Sequence, residues 1–406
     1  MKRHVTITAA VGIAAVAALA ACSSQPAATP SGEANGGTFR VAMIVGQTGP
    51  LAATAADFQL GMQTAADLVN KEGGIKGKKI VIDVIDDKSD PTQAVTKLQG
   101  LINSGEEQPD LIYAGITSSE TLAMLPILTP AKLLSMSQTT NVQINDPAQY
   151  PYHFGISPTN EDTLKVVANE FKEKGYKKIG MLVPGDANGD DLVKTLTNYA
   201  KKSGAEISGV EKYDANGVDY TVQYQRVLNS KPDVVFTDAS GPAPAGRIFQ
   251  ARVTAGGTDV PLIAGNGIAG QNPGKSASAD AVANCTMPVF KFTIEGSKVA
   301  ADSLLDPLTK ATTEKGQTGG IFGPGIGFDL IRVIAKASES TKSGTGEQIA
   351  KAMGTLKVPA DYSIQYPDGF SYSAESHFPT IKGDTGGKEL IPCGSTVENS
   401  LWKITE

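Results

Sequence analysis

Residues 73–91 read GGIKGKKIVIDVIDDKSDP, and they set the rhythm of the chain. Just upstream, Phe58, Met62, Ala65 and Val69 recur at i, i+4, i+7 and i+11, one face of a helix that Gly73 and Gly74 stop. Lys79 to Ile85 then predicts a strand. Asp90 and Pro91 supply an N-cap and a first-turn proline for a second helix carrying Val95, Leu98, Leu101 and Ile102. The unit extends in both directions. Before it, Phe39 to Val45 predicts a buried strand and Gly46 to Pro50 a loop. After it, strands are expected at Leu111 to Gly115, Leu133 to Ser137, Lys178 to Val183, Val234 to Thr237 and Pro261 to Ala264. Helices lie between them, including Asp190 to Ser203, where Leu192, Leu196 and Tyr199 share a face and Gly204 marks the end. Such alternation implies an α/β fold with parallel sheets and right-handed crossovers. No short-period repeat is present.

The chain opens differently. Lys2 and Arg3 precede an apolar run from Val5 to Ala21 that ends in small residues, the layout of a signal peptide over residues 1–21. Leu19-Ala20-Ala21-Cys22 resembles the bacterial lipobox, which would make Cys22 the lipidated new N-terminus. The alternatives are an uncleaved anchor helix and a plain secretory signal with a chance cysteine. Residues 22–37 are rich in Ser, Pro, Ala and Gly, the composition of a flexible tether. Loss of the leader takes Lys2 and Arg3 with it, leaving 42 acidic against 34 basic residues, a net charge near −8. With no basic cluster, that balance argues against nucleic acid or an anionic membrane surface as partner. The remaining length exceeds one core, so two domains are expected. Cys285 and Cys393 would sit in an oxidising compartment, either as a disulfide tying the chain end to its middle or as two separately buried thiols.

Open parallel sheets bind ligands beyond the carboxyl ends of their strands, where helix N-termini offer free N–H donors. Two such loops are rich in small donors: Ile116-Thr117-Ser118-Ser119-Glu120 and Gln138-Thr139-Thr140-Asn141. Together they could seat a carboxylate, or they could be helix caps alone. Signs of catalysis are thin. Of three histidines, His4 goes with the leader, while His153 and His377 fall in loop-like segments without metal-ligand spacing and read as surface or packing residues. Gly265 to Gly270 matches G-x-G-x-x-G, and Ala269 to Ser276 nearly matches a P-loop, but neither has the flanking pattern of a nucleotide site. Ser400-Leu401-Trp402-Lys403 lies too near the chain end to be followed by its partner motifs. No enzyme activity, metal or cofactor is expected.

Gly73 to Lys79 and Asp86 to Pro91, preceded by Gly46 to Leu51, strongly resemble the leucine/isoleucine/valine-binding proteins of ABC transporters. The likeness continues through Gly115 to Glu120, Tyr150 to Phe154, Lys177 to Val183, Asp233 to Phe236 and Gly327-Phe328-Asp329, covering most of residues 39–369. It implies a type I periplasmic-binding fold: two Rossmann-like lobes, residues 38–155 plus 290–365 and residues 156–289 plus 366–406, joined by a three-crossing hinge around a cleft. It further implies a monomer outside the cytoplasm, lipid-anchored to the bacterial cell membrane, that delivers a small molecule to an ABC permease and its ATPase. The other classes open to such a chain are a sensor ectodomain and an exported enzyme. By the same resemblance, Ser118, Ser119, Thr139, Thr140 and Asn141 are carboxylate donors. In the second lobe Asn188 and Ser240 stand where the family often has Tyr. Asn266 stands where the family has the acid that meets an ammonium group. Asp238 or Asp186 could replace that acid, or each could be only a solvated loop acid or a helix cap. In the latter case a neutral amide or an organic acid becomes the better ligand, because a buried ammonium without an anionic partner is costly.

Overall fold

A computed structural model describes residues 36–239, 241–297, 302–316, 320–381 and 387–405. Cys22, the leader, nearly all of the tether and Ser240 lie outside them.

Two sheets organise the chain. The first runs β2-β1-β3-β4-β5, all parallel, from β1 (Gly36–Val45), β2 (Lys78–Asp86), β3 (Leu111–Ala114), β4 (Ser135–Ser137) and β5 (His153–Gly155). Its crossovers include α1 (Ala52–Lys71), α2 (Pro91–Ile102) and α3 (Ser118–Leu128). Asp90 caps α2 by accepting from the N–H groups of Thr92 and Gln93. The second sheet uses β6 (Lys178–Pro184), β7 (Glu206–Tyr213), β8 (Val234–Thr237), β9 (Leu262–Ala264) and β10 (Cys285–Phe290). A small antiparallel sheet of β11 (Lys357–Val358), β12 (Phe370–Ser371) and β13 (Thr380–Ile381) follows, then β14 (Lys388–Pro392).

The order of the second sheet is β14-β10-β9-β8-β6-β7, and β14 runs antiparallel to β10. This sheet is therefore not wholly parallel, because its edge strand comes back from the chain's end rather than through a helical crossover. Cys393, just past β14, is bonded to Cys285 on β10.

The chain passes between the sheets three times: between β5 and β6, between β10 and helix Asp302–Glu314, and between β13 and β14. After the second passage, helix Phe322–Glu339 lies along α1 with backbones nearly touching. A Cβ on Gly61 would come within 1.8 Å of the Pro324 carbonyl oxygen, and one on Gly327 within 2.2 Å of that of Phe58. Two residues on, the buried Asp329 carboxylate accepts from the Ser363 hydroxyl and the N–H groups of Ile364 and Gln365, pinning that segment against the helix.

A lobe boundary at residue 366 does not fit this packing. Tyr366, Phe370 and Tyr372 are buried in the core of the first sheet. Their reach explains why: the Tyr366 and Tyr372 hydroxyls donate to the carbonyls of Ile156 and Gly155 at the end of β5, at 2.7 and 2.8 Å. The chain rejoins the second sheet only at β14.

Candidate functional site

Between the carboxyl ends of the two sheets is a cavity of about 140 Å³. Its walls follow from the topology. The turns after β3 and β4 bring Thr117, Ser118, Thr139 and Thr140; those after β6, β8 and β9 bring Asp186, Asn188, Asp238 and Asn266. Asp57 and Phe58 of α1 close one side, with Phe322 from the facing helix.

One wall is built for an anion. Thr117 caps α3 and accepts from the Glu120 N–H at 3.2 Å, while the Glu120 carboxylate takes the N–H groups of Ile116 and Thr117 at 2.7 and 2.9 Å. The first-turn N–H groups of Ser118 and Ser119 stay free of backbone acceptors, as the first donors of any helix do, and the helix dipole adds to their pull on negative charge. Beside them, the Thr139 hydroxyl is fixed from behind. It bonds Ser137 Oγ at 2.9 Å, which bonds His153 Nε2 at 3.1 Å, and His153 Nδ1 bonds Ser135 Oγ at 2.9 Å. His153 lies on β5 and is buried, not in a loop; burial pushes its imidazole down to about 3, so it is neutral at physiological pH.

The other walls carry three carboxyl groups in different circumstances. Asp186 caps helix Ala187–Lys202 through the Gly189 N–H at 2.9 Å. Asp238 is buried and accepts from the N–H groups of Ala239 and Gly267 at 2.9 and 2.8 Å, which makes it a cap for the short helix Asn266–Ala269. Burial pushes it up to about 6, against the pull of those N–H groups and of Lys388. The glycine pattern at Gly265 to Gly270 thus admits the chain's own carboxylate: a Cβ on Gly267 would lie 3.0 Å from Asp238 Oδ1 and 1.9 Å from the Ala239 carbonyl oxygen. Asp57 differs from both. Among the described residues no group bonds its carboxyl, and burial alone pushes it up to about 7.

Behind the cavity wall, Lys388 of β14 is buried with its ammonium 4.3 Å from the Phe290 ring centre, and it donates to Asn266 Oδ1. Burial pushes it down to about 7, partly offset by the Asp238 charge. Among the described residues no group of His, Cys, Asp and Glu side chains is placed to hold a metal ion.

A family profile described as periplasmic binding protein matches residues 38–380. The chain belongs to the periplasmic binding protein family. Among curated relatives of this family member, the Leu/Ile/Val-binding protein BraC3 of Rhizobium johnstonii is 22% identical over 280 residues, 63% of this chain and 74% of the relative. Among solved structures, a periplasmic binding protein type 1 from Bordetella pertussis Tohama I superposes with a TM-score of 0.76 at 19% identity, covering 91% of this chain and 99% of the other. The solute-binding protein of an ABC transporter from Rhodopseudomonas palustris BisB5, solved with 3,4-dihydroxybenzoic acid, superposes with a TM-score of 0.73 at 21% identity, covering 90% and 96%. At these identities the structures establish the type I periplasmic-binding fold.

Within that fold, the structure brings Ser118, Thr139, Thr140, Asn188, Asp238 and Asn266 to one cavity. Ser119 and Asn141 are placed otherwise. Ser119 Oγ accepts from the Ala187 N–H at 3.4 Å and Asn141 Nδ2 donates to the Ala187 carbonyl at 2.8 Å, so both bridge from the first sheet's loops to the helix after β6. The Asn141 amide is held in this orientation because its Oδ1 accepts from the Gln143 N–H and caps the turn Val142–Ile144. Two residues escape a reading of the sequence: Asp57 and Lys388. Asp57 left a trace, since Thr54, Asp57, Phe58 and Gly61 fall at i, i+3, i+4 and i+7, placing an acid on a buried stripe. Lys388 left none, because its partner is 122 residues away.

Proposed function

We propose that this periplasmic binding protein is the lipid-anchored, solute-binding subunit of an ABC importer, held outside the cytoplasm through Cys22, and that its ligand is a small zwitterion of the amino-acid type. One juxtaposition carries the reading. Ser118, Thr139 and Thr140 and the start of α3 line the same cavity of about 140 Å³ as Asp57, whose carboxyl has no hydrogen-bond partner among the described residues. The first set suits a carboxylate, and the second suits an ammonium group, whose charge would hold Asp57 ionised. A dry cavity of about 150 Å³ accepts a molecule the size of benzene, so the volume also fits a small amino acid. The Leu/Ile/Val-binding relative supports this class, and the ABC-transporter neighbour supports permease and ATPase partners.

A second reading has its own observation. Phe58 and Phe322 line the cavity, and the Rhodopseudomonas neighbour holds an aromatic acid, so an aromatic carboxylate could occupy it with Asp57 protonated.

Calorimetry separates the two. At pH 7 a bound ammonium expels the proton that Asp57 holds about half the time, so titration of amino acids in buffers of different ionisation enthalpy should show release of about half a proton per ligand. A benzoate should show none or uptake. Ser118→Ala should weaken either ligand about tenfold. Amino-acid binding without proton release, or binding indifferent to Ser118→Ala, refutes the arrangement.

A further inference from the structure

Asn266 occupies the cavity wall, and its side-chain amide is a donor on one edge and an acceptor on the other. Which edge meets a ligand is normally free to exchange by rotation. Here it is biased, because Lys388 reaches from β14 to donate to the Asn266 side-chain oxygen, and its ammonium form carries only donors. In that form the lysine holds the amide with its oxygen turned toward it. Several contacts keep the lysine there: it is 2% exposed, it packs over the Phe290 ring, and its strand is paired with β10 over five residues from Thr286↔Pro392 to Phe290↔Lys388. The amide nitrogen has no protein acceptor among the described residues.

We infer that Lys388 fixes Asn266 as a hydrogen-bond donor into the cavity, so that the ligand presents an acceptor, a carbonyl, hydroxyl or carboxylate oxygen, to that wall in addition to the carboxylate seated at α3. The inference deepens the zwitterion reading by naming a side-chain class: amino acids with an amide, hydroxyl or acid group in place of a plain alkyl one. It also explains why a neutral residue can stand at this position. An ammonium group at Asn266 would face donors only, and an alkyl group would leave two N–H bonds buried without a partner. Sites built to hydrogen-bond a polar group reject its apolar isostere strongly, whereas apolar pockets discriminate weakly.

The test uses pairs of equal shape in the full chain: L-asparagine against L-leucine, and 4-hydroxybenzoate against 4-methylbenzoate. In whichever pair binds, the polar member should be favoured by about tenfold or more. Lys388→Met, close in length and apolar, frees the amide to turn and should reduce that ratio to about threefold or less; Asn266→Ala should do the same by removing the amide itself, although it also takes away the acceptor of the buried lysine. Equal or reversed preference in the wild type overturns the inference, as does an unchanged ratio in a folded Lys388→Met or Asn266→Ala protein, or failure of both polar members to bind. Binding of the benzoate pair alone, with the polar preference intact, removes the zwitterion reading and leaves the role of Lys388 standing.

Discussion

Asp57 shows how much a single residue can report. Its carboxyl sits at about 7 in the folded protein against an ordinary 3.8, so the folded state holds a proton that the unfolded chain has already lost. The sign follows. Below about pH 4 both states are protonated and the residue contributes nothing. As pH rises through 4 to 7, stability falls, by at most about 4 kcal/mol, with solvent in the cavity reducing the figure. Denaturant titration of ligand-free Asp57→Asn should therefore find a gain over wild type at pH 8 and little difference at pH 4. A constant difference at both pH values would mean that the carboxyl is not desolvated. What the sequence discloses also varies residue by residue. Ser118, Thr139 and Thr140 were legible because helix starts and strand ends have local signatures. Asp238 was legible as a residue near the site or as a cap, but its pairing with Gly267 was not, since that depends on the short helix Asn266–Ala269 approaching from beyond another strand.

At the scale of elements, the alternation of strands and helices was legible nearly throughout, because buried parallel strands and amphipathic crossovers write themselves into short windows. β8 lies at Val234–Thr237, as its apolar run requires. The last part of the chain was opaque for a physical reason: β11 to β14 are two to five residues long, and their burial depends on partners far away in sequence. The helix Ala187–Lys202 illustrates a different point. Its first residue, Ala187, is gripped from the opposite sheet by Ser119 and Asn141, while Asp191 accepts from the Val142 N–H at 3.3 Å and from Asn160 at 2.8 Å. Such bonds can exist only while the two halves are drawn together. Asn141→Ala with Ser119→Ala should weaken ligand binding by about tenfold for each bond lost and enlarge the ligand-free radius of gyration in small-angle scattering. If neither changes, the bridges are incidental to closure.

For the molecule as a whole, two bodies of secondary structure are sewn by three passages, and the last of them is secured by the Cys285–Cys393 bond, which spans 108 residues. A crosslink over a loop of that length lowers the entropy of the unfolded chain by an amount worth up to about 5 kcal/mol, with measured values commonly about 2–4. Cys285→Ala with Cys393→Ala should lose stability in that range in denaturant melts, whereas the Asn266 edge of the cavity stays in place if β14 remains paired. Loss of under about 0.5 kcal/mol would show that the unfolded chain gains little freedom without the bond.

The late position of β14 has one more effect. Every other strand of its sheet leaves the ribosome first, so a nascent or prematurely ended chain carries β10 as an open edge, with the buried faces of Met287 and Val289 beside unpaired N–H and C=O groups. That edge is a ready template for aggregation and for proteases, which makes arrival of the final strand a checkpoint between finished and defective copies.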